Sequence, residues 1–192
     1  MTARIVLASK SPRRFELLRN AGFSVEVRAA DVEEVPRPGE APVAYVRRLA
    51  QSKAAAVSAN PDELVLAADT VVVIDGRILE KPADAQDASR MLRLLAGREH
   101  IVYTGVCLRH GTEAPVVDHE ETRVEFGALT DEEIEDYVAT GEPMDKAGAY
   151  GIQGYASRFV RRVDGCYFNI VGLPVSLVYR HVSAILKSCP AR

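Results

Sequence analysis

The chain opens with an apolar run at residues 4–8, followed by the polar and cationic stretch "SKSPRR" at 9–14. A short apolar run bounded by turn formers predicts a buried strand. Ser11 stands where an N-cap belongs, Pro12 at the first helical position and Gly22 at the stop. A helix therefore follows, with Phe15, Leu17, Leu18 and Ala21 facing inward. "FSVEVRA" alternates apolar and polar residues and predicts a second strand. "DVEEVPRPGEAP", acidic and proline-rich, predicts a loop. A helix is expected from Pro42 to about Ser58, burying Val46, Leu49, Ala50, Ala54 and Val57, with Asn60-Pro61 as its stop.

"LVLAADTVVVIDGRILEKP" is the most strand-like segment, and Asp75-Gly76 within it is a two-residue hairpin signal. Strands over 64–68 and 78–80 are expected there. A helix from about Asp84 to Leu95 ends at Gly97. "EHIVYTGVCLRH" and "APVVDHEETRVEFGAL" predict two long strands. Thr130 and Glu133 form a capping box for the next helix, which Gly141 terminates. After the glycine-rich "DKAGAYGIQGYASRFV", a strand pair is expected at about 158–171. Pro174 starts a last amphipathic helix carrying Leu177, Val178, Val182, Ile185 and Leu186. Helices and strands intermix and hairpins dominate the middle, so the fold class is α/β with a mixed central sheet flanked by helices.

Composition narrows this picture. A chain of 192 residues, 47% hydrophobic, can bury a core without staples, as one domain or one domain of two lobes. The net charge of −3 gives no global basic field, so nucleic acid and membrane are not expected partners and any cationic cluster is local. The three cysteines, Cys107, Cys166 and Cys189, are far apart and form no CxxC pair, which fits a reducing compartment without disulfides. The first apolar run is too short for a signal peptide, and no stretch approaches the roughly 18 apolar residues of a membrane span. These features lead us to expect a cytoplasmic protein.

Several chemistries are excluded by pattern. GxxxxGK[ST], HExxH, GxSxG and zinc-type Cys/His spacings are absent. "GAYGIQG" spaces its glycines G-x-x-G-x-x-G and follows a loop, unlike a dinucleotide fingerprint. The four histidines are scattered, and His181 reads as a structural residue of the last helix.

Unusual polar residues instead cluster at the ends of apolar strands. The first strand delivers Ser9, Lys10, Arg13 and Arg14; the 64–68 strand delivers Asp69 and Thr70; the 78–80 strand delivers Glu80, Lys81 and Pro82. Ligands in α/β folds bind outside strand ends. Cations at a helix N-terminus oppose the helix dipole, unless an anion lies among them. Arginine forks, a lysine, serines and free backbone N–H groups at 9–14 are what phosphate oxygens need, so a polyphosphate is the expected ligand. Asp69, interrupting an apolar stretch, needs a cation, hydrogen bonds or a metal. It can act as a general base toward water or hold a divalent metal, and the pattern leaves both roles open. Asp31, Glu33 and Glu34 form either a solvated acidic loop or a Mg²⁺ site shared with substrate phosphates. Lys53, on a small-residue helix face, carries little weight by itself.

"LASKSPRRFELL", "DVEEVPRP", "RLAQSKA", "AADTVVV", "LEKP", "YTGV", "DKAGAYGIQG" and "VGLPV" occur in this order. Together they resemble the Maf family of nucleoside triphosphate pyrophosphatases, from about residue 4 to 187. The resemblance implies a single domain over 1–192 with two lobes around a deep cleft, similar in fold to inosine triphosphate pyrophosphatases. It also implies a homodimer, and hydrolysis of a nucleoside triphosphate to monophosphate and pyrophosphate with a divalent cation, Mg²⁺ or Mn²⁺. Asp69 matches the family's proton acceptor. Ser9, Arg13, Arg14, Glu34, Lys53 and Lys81 match positions implicated in phosphate, metal or catalytic contacts. The resemblance thus assigns Asp69, Lys53 and Lys81 to catalysis, Glu34 and Asp69 to the metal, and Ser9, Arg13, Arg14, Thr70 and Gln153 to substrate.

Arg13, Thr70 and Gln153 match the branch acting on dTTP and UTP. The sister branch acting on 7-methylguanosine triphosphate carries Trp, Gln and Glu there. A glutamine amide offers the donor and acceptor that a pyrimidine's O4 and N3–H require. Tyr150 is placed either as a wall near the base or in the core. Lys10, where many relatives have a smaller residue, adds charge near the site. Two rival readings stand beside this one: a non-catalytic nucleotide-binding regulator of cell division, and a pyrophosphatase for another noncanonical nucleotide.

Overall fold

A computed structural model describes residues 4–29 and 31–188; Cys189 lies outside the described residues. Among them the strands are β1 (Arg4–Leu7), β2 (Ser24–Val27), β3 (Leu64–Ile74), β4 (Arg77–Leu79), β5 (Glu99–His110), β6 (Val116–Phe126) and β7 (Val160–Gly165). The helices are α1 (Pro12–Asn20), α2 (Pro42–Ala55), α3 (Ala85–Leu95), α4 (Asp131–Ala139), α5 (Tyr167–Val171) and α6 (Val175–Ser188). The strands form a seven-stranded sheet in the order β2-β1-β3-β5-β6-β7, with β4 on β3. β1 pairs in parallel with β2 and β3, while the β3–β4 and β6–β7 pairs are antiparallel, so the sheet is mixed as the hairpin signals predict.

The chain divides into two compact units. The first comprises Met1–Asp69, Thr104–Glu120 and Gly172–Arg192. Its parallel strands are apolar on both sides: Val6, Ala8, Val65, Ala67 and Cys107 pack with Ala50, Ala54 and Val57, while Ile5, Leu7 and Leu66 are also fully buried. Gly105 brings strand β5 against helix α2, because a Cβ there would stand 2.3 Å from the Val46 carbonyl oxygen. The buried Cys107 thiol is pushed up to about 11 by desolvation, and Cys107 and Cys166 are both free. His181 pairs with Asp118 at 2.8 Å, in keeping with a structural role. Among the described residues no helix is long and apolar enough to cross a membrane.

The second unit comprises Thr70–Tyr103 and Glu121–Val171. Asp75 and Gly76 both take positive φ (50° and 72°), the two-residue turn whose twist suits the β3–β4 hairpin. The capping box forms as expected, Thr130 Oγ1 accepting from the Glu133 N–H and Glu133 Oε2 from the Thr130 N–H. The core is aromatic. His100 meets Phe126 and Tyr150 edge-on, at 5.0 and 5.4 Å between ring centroids. Its Nε2 lies 2.9 Å from the Tyr150 hydroxyl. Tyr150 is 5% exposed, which places it in the core.

Four expectations are corrected. β3 runs unbroken through residues 64–74, so Asp69 and Thr70 sit within a strand and not at the end of one. The expected strand pair near 158–171 is the single strand β7 followed by helix α5. The Thr122 hydroxyl bonds both the N–H and the carbonyl of Cys166, ending the ladder, and Asn169 Nδ2 then donates to the Val102 carbonyl and to Thr122. α2 ends at Ala55, short of Ser58, where Arg109 and Arg28 donate to the carbonyls of Val57 and Ser58. Ala21 and Leu186, expected inside, are exposed: Ala21 follows the last turn of α1, and Leu186 is turned about 100° from Ile185.

Burial holds the His100 imidazole neutral, its pKa lowered from 6.5 to about 4. The unfolded chain therefore binds a proton that the folded chain refuses in that interval. The associated stability is fully present above pH 6.5 and is lost as pH falls toward 4, by about 3 kcal/mol. Urea unfolding at about pH 7 and about pH 4 should show a drop that is smaller in His100→Gln. Equal drops in the two proteins would refute this account.

Candidate active site

The first unit assembles one cluster of charge. α1 begins where the sequence predicts, with Ser11 as N-cap accepting from the Arg14 N–H at 3.4 Å. Ser9, nearly buried at the end of β1, accepts from the Ser11 N–H and from Arg14 Nη1, both at 3.2 Å. Arg14 Nε donates to the Gly172 carbonyl at 2.8 Å, which anchors the guanidinium beside the first turn of α1. Burial lowers its pKa, Asp69 and Glu34 oppose that shift, and Arg13 adds to it. Arg14 thus feels both carboxylates and the neighbouring arginine at once.

Lys53 is the centre of this cluster. It lies on α2, whose buried residues include Ala50 and Ala54, and is 7% exposed. Its Nζ lies 2.7 Å from Asp69 Oδ1 and 2.7 Å from Glu34 Oε1. Asp69 is 5% exposed, so this ammonium is what allows a carboxylate inside the otherwise apolar β3. Glu34 is half-exposed, in the acidic loop. That loop is held by Arg48, which donates to both oxygens of Glu40 at 2.6 Å and to the Val35 carbonyl at 3.1 Å. The same fork holds the Glu40 carboxyl down at about 2. Asp31 pairs instead with Lys10, at 2.6 Å on the surface.

The structure therefore brings Ser9, Arg13, Arg14, Glu34, Lys53 and Asp69 together in the first unit. Thr70, Lys81 and Gln153 belong to the second. Thr70 is half-buried in β3, Lys81 is exposed just past β4, and Gln153 is exposed in the glycine-rich loop. The Gly148 N–H donates to the Glu80 carbonyl at 3.0 Å, tying the segment that carries Lys81 to that loop. Sequence reasoning missed the Gly172 carbonyl and the Arg48–Glu40 fork. A carbonyl contact has no side-chain signature, and Arg48 reads as one more exposed helical cation.

The family model described as Maf-like protein matches residues 4–185. The chain belongs to the Maf family. Among relatives of this Maf-family chain, one named dTTP/UTP pyrophosphatase from Koribacter versatilis is 55% identical over 177 residues, 92% of this chain and 91% of the relative. Another of that name, from Anaeromyxobacter dehalogenans, is 53% identical over 179 residues, 92% and 91% of the two chains. Similar solved structures include a nucleoside-triphosphatase described as a dITP/XTP pyrophosphatase from Mycobacterium abscessus. It is 18% identical with a TM-score of 0.40, covering 66% of this chain and 75% of that one. The Ham1 protein of Staphylococcus aureus is 15% identical with a TM-score of 0.44, covering 64% and 71%.

Removing one partner of a buried ion pair leaves the other charge uncompensated, whereas replacing both by apolar groups does not. Lys53→Met should cost about 3 kcal/mol in denaturant unfolding, and the double variant Lys53→Met/Asp69→Leu distinctly less. Additive losses in the double variant would show that the two side chains do not act as a pair.

Proposed function

We propose that this chain hydrolyses dTTP and UTP to the monophosphate and pyrophosphate. The observation that carries the reading is the Glu34–Lys53–Asp69 cluster beside Arg14 and Ser9, in a Maf-family chain whose relatives bear that activity in their names. Water attacks the α-phosphorus while Asp69 accepts its proton; the bond to the bridging oxygen breaks and pyrophosphate leaves. Lys53 holds the Asp69 carboxylate in place for that transfer. Arg13, Arg14, Lys53 and Lys81 neutralise charge growing on the phosphoryl oxygens and the leaving group. Ser9 and the N–H groups opening α1 bind phosphate oxygens, with the helix dipole favouring the anion. Gln153 is assigned to the pyrimidine because its amide matches O4 and N3–H, and Thr70 is assigned with it from its match to the dTTP/UTP branch.

Among the described residues no group of three or more His, Cys, Asp or Glu side chains is disposed to hold a metal. Glu34 and Asp69 each place one oxygen 2.7 Å from the Lys53 ammonium, and hard divalent ions take one or two carboxylates plus substrate phosphates. The pair thus fits Mg²⁺ or Mn²⁺ arriving with the nucleotide. Held there, such an ion would supply charge neutralisation on the phosphates. Family resemblance supports a homodimer, a cytoplasmic setting, and a role in clearing unwanted or modified pyrimidine nucleotides.

The test is incubation with dTTP, UTP, CTP, GTP, ATP and 7-methyl-GTP in Mg²⁺, resolving the products. Monophosphate and pyrophosphate should appear from dTTP and UTP, and ¹⁸O from labelled water should enter the monophosphate. Asp69→Asn should lower kcat by about 10²–10⁴. Chelation should stop turnover, and Mg²⁺ or Mn²⁺ should restore it. Turnover of a purine triphosphate alone would reassign the substrate. Nucleotide binding with no turnover would make the chain a regulator.

A further inference from the structure

Glu142 opens a short 3-10 turn, Glu142–Asp145, yet its carboxylate serves the loop that follows. Oε1 accepts from the Tyr137 hydroxyl at 3.0 Å and Oε2 from the Tyr155 N–H at 3.0 Å. The Tyr137 oxygen in turn accepts the Gly151 N–H at 3.3 Å. Tyr137 is fully buried and its phenol pKa is raised by desolvation, so the hydroxyl keeps its proton and stays a donor to Glu142. The Tyr137 and Tyr155 rings stack at 5.5 Å and 8°. Lys146 Nζ donates to the Glu142 carbonyl at 2.6 Å and to Asp145 at 2.6 Å. A Cβ on Gly154 would stand 2.3 Å from Glu142 Oε1, and one on Gly151 2.6 Å from Lys146 Cε.

These contacts bracket one tetrapeptide, Gly151-Ile152-Gln153-Gly154. Its first N–H is bound through Tyr137, and the N–H just beyond its last residue is bound by Glu142 directly. Ile152 is buried between them, and Gln153 is the residue left exposed. A carboxylate forms shorter and stronger hydrogen bonds than a neutral acceptor, so it makes a stiff clamp.

We propose that Glu142 is a positioning residue for base selection, fixing the backbone on both sides of Gln153. The inference rests on the reading of Gln153 as the pyrimidine contact of a dTTP/UTP pyrophosphatase. Glutamine alone does not separate uracil from cytosine. Its amide turns over and offers donor and acceptor in either order, matching O4 and N3–H of uracil or the amino group and N3 of cytosine. Separation requires polar groups that cannot turn over, such as the backbone N–H and C=O groups beside Gln153 once the segment is fixed, and small misplacements of such groups have large effects.

The test compares kcat and KM for UTP and CTP in wild type, Glu142→Ala, Glu142→Gln and Tyr137→Phe. Glu142→Ala should raise KM for UTP about tenfold with little change in kcat, and lower the UTP-over-CTP preference about tenfold. Glu142→Gln should retain most of the preference, because its amide oxygen can accept from Tyr155 while its NH₂ donates to Tyr137. Tyr137→Phe, which removes the hydroxyl that links Glu142 to the Gly151 N–H but leaves the Glu142–Tyr155 contact, should fall between the two and serves if Glu142→Ala does not fold. A merely structural role would lower kcat equally for both nucleotides and leave both KM values and the ratio unchanged, and that result would overturn the proposal. If the wild type hydrolyses neither UTP nor dTTP, the functional reading itself fails and takes this inference with it. If the wild type prefers UTP and the variants keep that preference, only the role of Glu142 fails.

Discussion

A single buried ammonium organises the first unit. Lys53 Nζ lies 2.7 Å from a carboxylate on β3 and 2.7 Å from one on the acidic loop. Without it, Asp69 would be an unpaired charge among fully buried alanines and valines, a cost of several kcal/mol that a strand does not sustain. With it, β3 runs continuously through residues 64–74, and the loop carrying Glu34 is bound to helix α2. The same pairing sets the field felt by Arg14, whose guanidinium is desolvated yet supported by both acids.

That arrangement explains why two arginines stand at the head of a helix whose dipole disfavours them. Arg14 is turned back onto the Ser9 hydroxyl and the Gly172 carbonyl, and its charge is partly met by Asp69 and Glu34. The protein's own carboxylates balance the cations, and a polyphosphate would add the remaining negative charge. Substrate binding and the pairing of Asp69 are then two parts of one electrostatic balance. Changes at Lys53 should reach both stability and chemistry, because one side chain serves both.

The second unit solves a different problem. Its glycine-rich loop buries Ala149, Tyr150 and Ile152, and hydrogen bonds to Glu142 and Tyr137 add order, with the Lys146 and Glu142 side chains lying where a Cβ on Gly151 or Gly154 would stand. Beneath it, Tyr150, His100, Phe126 and Phe159 form an edge-to-face cluster. Tyr150 is committed to that cluster through the His100 ring nitrogen, and this makes it a core residue.

Local signals in the sequence determined much of this protein. Ser11 and Pro12 start α1, Asp75-Gly76 turns the β3–β4 hairpin, and Thr130 with Glu133 caps α4, because each acts through bonds to residues a few positions away. The Maf-family motifs likewise pointed to Ser9, Arg13, Arg14 and Asp69 from residue type and order alone. What only the tertiary structure decided depends on partners distant in the chain. Asp69 looks like a strand terminator until Lys53 is seen to neutralise it, and the segment after β7 looks like a strand until Thr122 is seen to end the ladder. Lys53 carries little weight by residue type alone and stands out only through its match to the Maf motifs, and nothing local marks Glu142. A buried charge is tolerable only through its counter-charge, and that partner is supplied by folding, not by neighbouring residues in the sequence.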